Sequence, residues 1–96
     1  PYSVLFIAFA GEEAGLIGSS YYVSKPLIPL QNIKFLLNLD LLGSGKEGIT
    51  IVNGANLKKE FAVVDSLNNA TKDLSKIVAR NNAPNSDHYP FTQAGV

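Results

Sequence analysis

The sequence predicts an α/β fold, with helices on both faces of a mixed, largely parallel sheet in a three-layer α/β/α arrangement. Three observations predict it. Apolar runs of strand length stop at glycines, at Gly11 and at Gly43. Those runs show almost no polar alternation, which marks strands covered on both faces. Segments with helical spacing lie between the runs.

Residues 2–10 are aromatic and β-branched, with no polar side chain after Ser3, and predict a first buried strand. Residues 14–23 predict the first helix. Gly15 and Gly18 weaken it by about 1 kcal/mol each relative to Ala and suggest close backbone packing. Pro26 and Pro29 end it and make residues 24–31 an extended connection. Residues 33–42 predict a second strand, parallel to the first and beside it. On a period of two, Asn38 and Asp40 share one of its faces.

Residues 49–52 predict a short third strand. Asn56 is the expected N-cap of a second helix, whose buried stripe is Leu57, Phe61, Val64 and Leu67. Residues 76–79 predict another short strand, and residues 80–86 a polar loop. Pro90 suits the first turn of a final short helix that ends at Gly95.

Composition narrows the function classes. The chain has 96 residues, 46% of them apolar and 17% charged, which is globular and sufficient for a modest core. Eight basic residues balance eight acidic ones, so no basic field is present to draw nucleic acid. Cysteine is absent, which excludes disulfides and thiolate chemistry, and His88 is the one histidine. Both ends read as cuts through a longer domain, because a strand begins at once and a new element starts near Val96.

Two patterns carry little. Gly43-Ser44-Gly45-Lys46-Glu47-Gly48 matches the glycine spacing of dinucleotide-binding turns. That mechanism needs a helix N-terminus next, and β-like residues follow instead. Asn69-Ala70-Thr71 fits a glycosylation sequon but lies within the second predicted helix.

Glu12, Glu13, Asp40 and His88 remain. The two Glu residues and Asp40 stand at the carboxyl ends of two predicted strands, where open α/β sheets place reacting groups. Carboxylates with imidazole suit zinc. Neighbouring Glu side chains project differently, so one can hold a metal while the other addresses water. Taken singly, each has a plain structural explanation: helix-dipole complement for Glu, turn-capping for Asp, a surface loop for His.

Three motifs, in order, frame nearly the whole chain. Phe9-Ala10-Gly11-Glu12-Glu13-Ala14-Gly15-Leu16 resembles the base-and-ligand motif of the M28 family of zinc aminopeptidases. Asn38-Leu39-Asp40-Leu41-Leu42-Gly43 is similar to its metal-aspartate motif, and Ser86-Asp87-His88-Tyr89-Pro90-Phe91 to its last metal-histidine motif. The resemblance implies that residues 1–96 are the C-terminal portion of a single catalytic domain, truncated at both ends. It implies hydrolysis of N-terminal peptide bonds, with a peptide or protein N-terminus as substrate. It makes Glu12 the general base, places Glu13 and His88 on one zinc ion, and places Asp40 on a second. The family's other ligands, a His and a bridging Asp, lie upstream of the Gly11-Glu12-Glu13 motif. The isolated chain is therefore expected to be inactive, to bind zinc incompletely, and to self-associate through exposed strand edges. A single-zinc acyltransferase similar to glutaminyl cyclases and a non-catalytic peptidase-like binding domain are the alternatives.

Overall fold

The computed structural model describes residues 1–43 and 46–96. The chain forms two compact units. One comprises Pro1–Asn38 and Asn85–Val96, and the other Leu39–Pro84.

In the first unit, helix α1 spans Ile17–Ser24 and helix α3 spans His88–Gln93, with a single 3-10 turn at Leu30–Asn32. α1 starts three residues later than the sequence predicts. The cause is backbone handedness. Gly15 and Leu16 both have positive φ, 101° and 58°, so no right-handed turn forms before Ile17. Instead the amides of Gly15 and Leu16 both donate to the Glu12 carbonyl, at 3.0 and 2.9 Å. Gly18 then lets the first turn of α1 rest on the chain at Ala10. A Cβ there would stand 2.6 Å from the Ala10 carbonyl oxygen, and the Gly18 amide donates to that same oxygen at 2.9 Å. Pro26 ends α1 by holding Lys25 out of the helical region, at φ −139°.

The core of this unit is aromatic. α1 packs against α3, and the rings of Phe9, Tyr22 and Phe91 stand 5.6–6.3 Å apart. Such spacings favour edge and offset contacts. Phe91 is only 1% exposed. α3 follows its prediction closely. Pro90 lies in the first turn, where the missing N–H removes no helical bond, and Gly95 follows the helix at φ 87°.

The second unit is a β-α-β unit. Strand β1 (Ile49–Ile51) pairs in parallel with β2 (Ile77–Ala79), Ile49 opposite Ile77. Parallel strands need a crossover, supplied here by helix α2, Lys58–Thr71. Gly48 makes the pairing close. Its φ is +104°, and a Cβ there would collide with the Lys76 carbonyl oxygen, which accepts the Ile49 amide at 2.9 Å. Asn68 pins the helix end by a reciprocal pair of bonds: its side chain donates to the Leu74 carbonyl at 3.0 Å and accepts the Leu74 amide at 2.8 Å. The sequon at Asn69 does fall in the last turn of α2.

Three predictions need correction. Residues 2–10 and 33–42 form no paired strands; among the described residues, β1 and β2 make the sheet. An apolar run signals a need for burial, but a strand exists only when paired with another strand, and among the described residues neither run is so paired. Asn56 is not the N-cap of α2. Leu57 occupies that position without a capping bond, while the Asn56 side-chain amide donates to Asn53 Oδ1 at 2.8 Å. The α2 stripe is not buried either: Leu67 is 61% exposed, and Leu57 and Val64 are also exposed. Dimensions explain this. Fourteen residues make a helix of about 21 Å, whereas three-residue strands reach only about 10 Å. The glycine pattern from Gly43 to Gly48 includes Ser44 and Gly45, which lie outside the described residues; the element after it is β1, not a helix.

Candidate functional site

Glu12 and Glu13 sit in the turn that leads into α1. The Glu12 carbonyl closes that turn by accepting two amides, and the Gly11 carbonyl accepts the Ile17 amide at 3.1 Å. This fixes the backbone of both acidic residues. Glu12 is half-buried and Glu13 exposed.

His88 is the first residue of α3, and Asp87 precedes it. Asp87 is 8% exposed, and its Oδ1 is buried with no hydrogen-bond partner among the described residues. His88 is half-buried, and its Nε2 is likewise buried and has no partner among the described residues. A buried polar atom left unpaired costs about 1–3 kcal/mol. An imidazole nitrogen in that condition is suited to a cation or to a donor from beyond these residues.

The turn carrying Asp87 and His88 is tied down at Ser86, which is buried. The Ser86 carbonyl accepts the Tyr89 amide at 3.0 Å, and its hydroxyl accepts the side-chain amide of Asn38 at 2.7 Å. That last bond joins residues 48 apart in sequence. Sequence reading placed Asn38 beside Asp40 but gave it no partner, because a single long-range bond between side chains leaves no periodic mark. The burial of Asp87 was also unforeseen; the neighbouring His and aromatic residues were the available signal.

Asp40 belongs to the second unit and is exposed there, followed by Leu41 at φ 54°. Among the described residues, no three of the His, Asp and Glu side chains gather as a group able to hold a metal ion. Glu13 and His88 of the first unit and Asp40 of the second carry donor atoms suited to zinc, oxygen and imidazole nitrogen.

Comparison with known proteins bears on this donor set. The sequence profile described as Peptidase family M28 matches residues 1–96. The chain is 33% identical over 98 aligned positions to aminopeptidase YwaD of Bacillus subtilis (strain 168). That alignment covers 97% of this chain and 21% of the relative, so the chain spans about a fifth of the relative's length. No solved structure matches it.

Proposed function

The chain belongs to peptidase family M28, and from that membership we propose that the protein carrying it is a zinc-dependent aminopeptidase. The reaction is hydrolysis of the N-terminal peptide bond of a peptide or protein. The match over the full 96 residues carries this reading. The buried Nε2 of His88, which has no partner among the described residues, supports a metal-binding role for that residue.

In this reading Glu13 and His88 hold one zinc ion and Asp40 the other. Bound zinc supplies Lewis acidity and lowers the pKa of water to near neutrality. The chain's own contribution to chemistry is Glu12. Its carboxylate takes a proton from the attacking water and returns it to the departing amine. The fixed turn at Gly11 and Gly15 keeps that carboxylate in place through the reaction, which limits the entropy lost on the way to the transition state. Glu13 cannot share the base role while its oxygens are committed to metal.

Two further points belong to the proposal. The 96 residues form the C-terminal portion of one larger catalytic domain, in which residues 2–10 and 33–42 become strands of a three-layer α/β/α sheet. The exposure of those apolar runs supports this, as does the chain's span of a fifth of its relative.

The test uses the complete protein and two substitutions. Glu12→Gln keeps shape but cannot accept the proton, so kcat is expected to fall by about 10²–10⁴-fold with zinc content unchanged. Glu13→Gln is expected to lower zinc occupancy. A Glu12→Gln protein with wild-type kcat removes Glu12 from the base role. Wild-type zinc content in Glu13→Gln shows that Glu13 is not a ligand. Release of ammonia from N-terminal glutamine, in place of peptide hydrolysis, replaces this reading with the cyclase-like one.

A further inference from the structure

We propose that Asn38 and Ser86 are a positioning pair that sets the placement of His88 for cation binding. The inference rests on the zinc-peptidase reading and assigns a role to two residues outside the expected ligand set. It begins from the Asn38–Ser86 hydrogen bond, a 2.7 Å contact between side chains that are 48 residues apart.

Ser86 is held on two sides. Its carbonyl accepts the Tyr89 amide, which closes the turn opening α3, and its hydroxyl accepts from Asn38. His88 lies inside that turn, two residues after Ser86. The next turn is braced as well, since the Thr92 hydroxyl donates to the His88 carbonyl at 3.2 Å. The backbone of His88 is therefore fixed locally by α3, α3 is held in the first unit by the ring of Phe91, and the link through Ser86 braces the turn that carries His88. Ser86 is 5% exposed and Asp87 8%, so water does not readily replace the Asn38 amide. The imidazole nitrogen so placed is the buried Nε2, which has no partner among the described residues. A hydrogen bond that orients a ligand from behind typically changes metal affinity by about 10–100-fold when removed.

The pair has the geometry for this task in preference to simple packing. Asn38 reaches Ser86 with a polar group in a unit whose large buried side chains are the aromatic Tyr22 and Phe91. A packing role would be served there by an apolar side chain at lower desolvation cost.

The experiment measures zinc affinity of the complete protein by competition with a chromophoric chelator, below the unfolding temperature of the metal-free form. The variants are Asn38→Ala, Ser86→Ala, the double variant, and Ser86→Thr, which keeps the hydroxyl. Each alanine variant is expected to weaken zinc binding by about tenfold or more. The double variant is expected to lose no more than the worse single one, since the pair acts as a unit. Ser86→Thr is expected to retain affinity. Alanine variants that unfold at lower temperature but keep wild-type zinc affinity overturn the proposal, because only a structural role remains. Additive losses overturn it too. A wild-type protein with no zinc affinity removes the metal-peptidase reading and this inference together, whereas unaffected variants of a zinc-binding wild type remove this inference alone. If Ser86→Ala does not fold, Asn38→Ala still decides, since Asn38 is only half-buried.

Discussion

Gly48 and Gly15 share a backbone region and differ in the space around them. Their φ values are +104° and +101°, where a side chain is strained. Nothing lies within 4 Å of a Cβ at Gly15, while a Cβ at Gly48 runs into the Lys76 carbonyl between β1 and β2. Gly15→Ala is expected to cost only the conformational strain, about 1–3 kcal/mol. Gly48→Ala adds a steric conflict with a backbone that cannot move without breaking the Ile49–Lys76 bond. It is expected to be the more damaging by at least about 1 kcal/mol, in the range of overpacking. Urea denaturation of the two variants in the complete protein checks this, and equal losses would mean that strand spacing is more tolerant than the structure implies. The candidate site was legible at this scale as residue types: Glu12, Glu13 and Asp40 stood out at the ends of apolar runs, and His88 as the one histidine, after a polar loop. Their supports were not. The Asn38–Ser86 bond joins residues 48 apart, a link that sequence separation hides, and the burial of Asp87 leaves no periodic mark.

Among the elements, α2 shows what a helical pattern can and cannot tell. Its existence and the short strands on either side of it were legible, because apolar spacing switches from two to nearly four and back. Its start and its burial were not. Asn56 has the chemistry of a cap, yet the chain turns one residue later and puts Leu57 there. The same reasoning accounts for residues 2–10 and 33–42, where composition names a strand and only a neighbour can make one. The misplaced cap yields a prediction. Leu57→Ser puts a hydroxyl at the N-cap and Glu60 three residues on, which is a capping box. Leu57 is 40% exposed, so little burial is lost. The variant is expected to gain about 0.5–1 kcal/mol. Asn56→Ala, in contrast, is expected to be nearly neutral, because it removes only an exposed bond to Asn53. Thermal melts of both variants test it; a large loss from Asn56→Ala would return the cap to that position.

For the whole chain, the decisive quantities are apolar exposure and ligand count. Phe6 is 90% exposed, Tyr2 88% and Leu27 87%, while among the described residues Tyr22 and Phe91 are the large apolar side chains that are buried. A chain that leaves such surface in water gains by covering it, at about 25 cal/mol for each Å² of apolar area removed. Among the described residues the apolar runs belong to no sheet, which invites strand addition from another copy. The isolated 96 residues are therefore expected to self-associate at micromolar concentration. Their metal binding follows from the donors present. A zinc site ordinarily takes three protein ligands and a water. The proposed assignments give one ion Glu13 and His88, and the other Asp40 alone, and no cluster of three forms among the described residues. Zinc binding by the isolated chain is thus expected to be weak, and turnover of an aminoacyl chromogenic substrate to be no greater than that of its Glu12→Gln variant. Light scattering, calorimetric zinc titration and the substrate assay read the three expectations separately. A monomer with sub-micromolar zinc affinity and Glu12-dependent turnover would show that these residues form a complete enzyme, and the larger catalytic domain proposed here would be unnecessary.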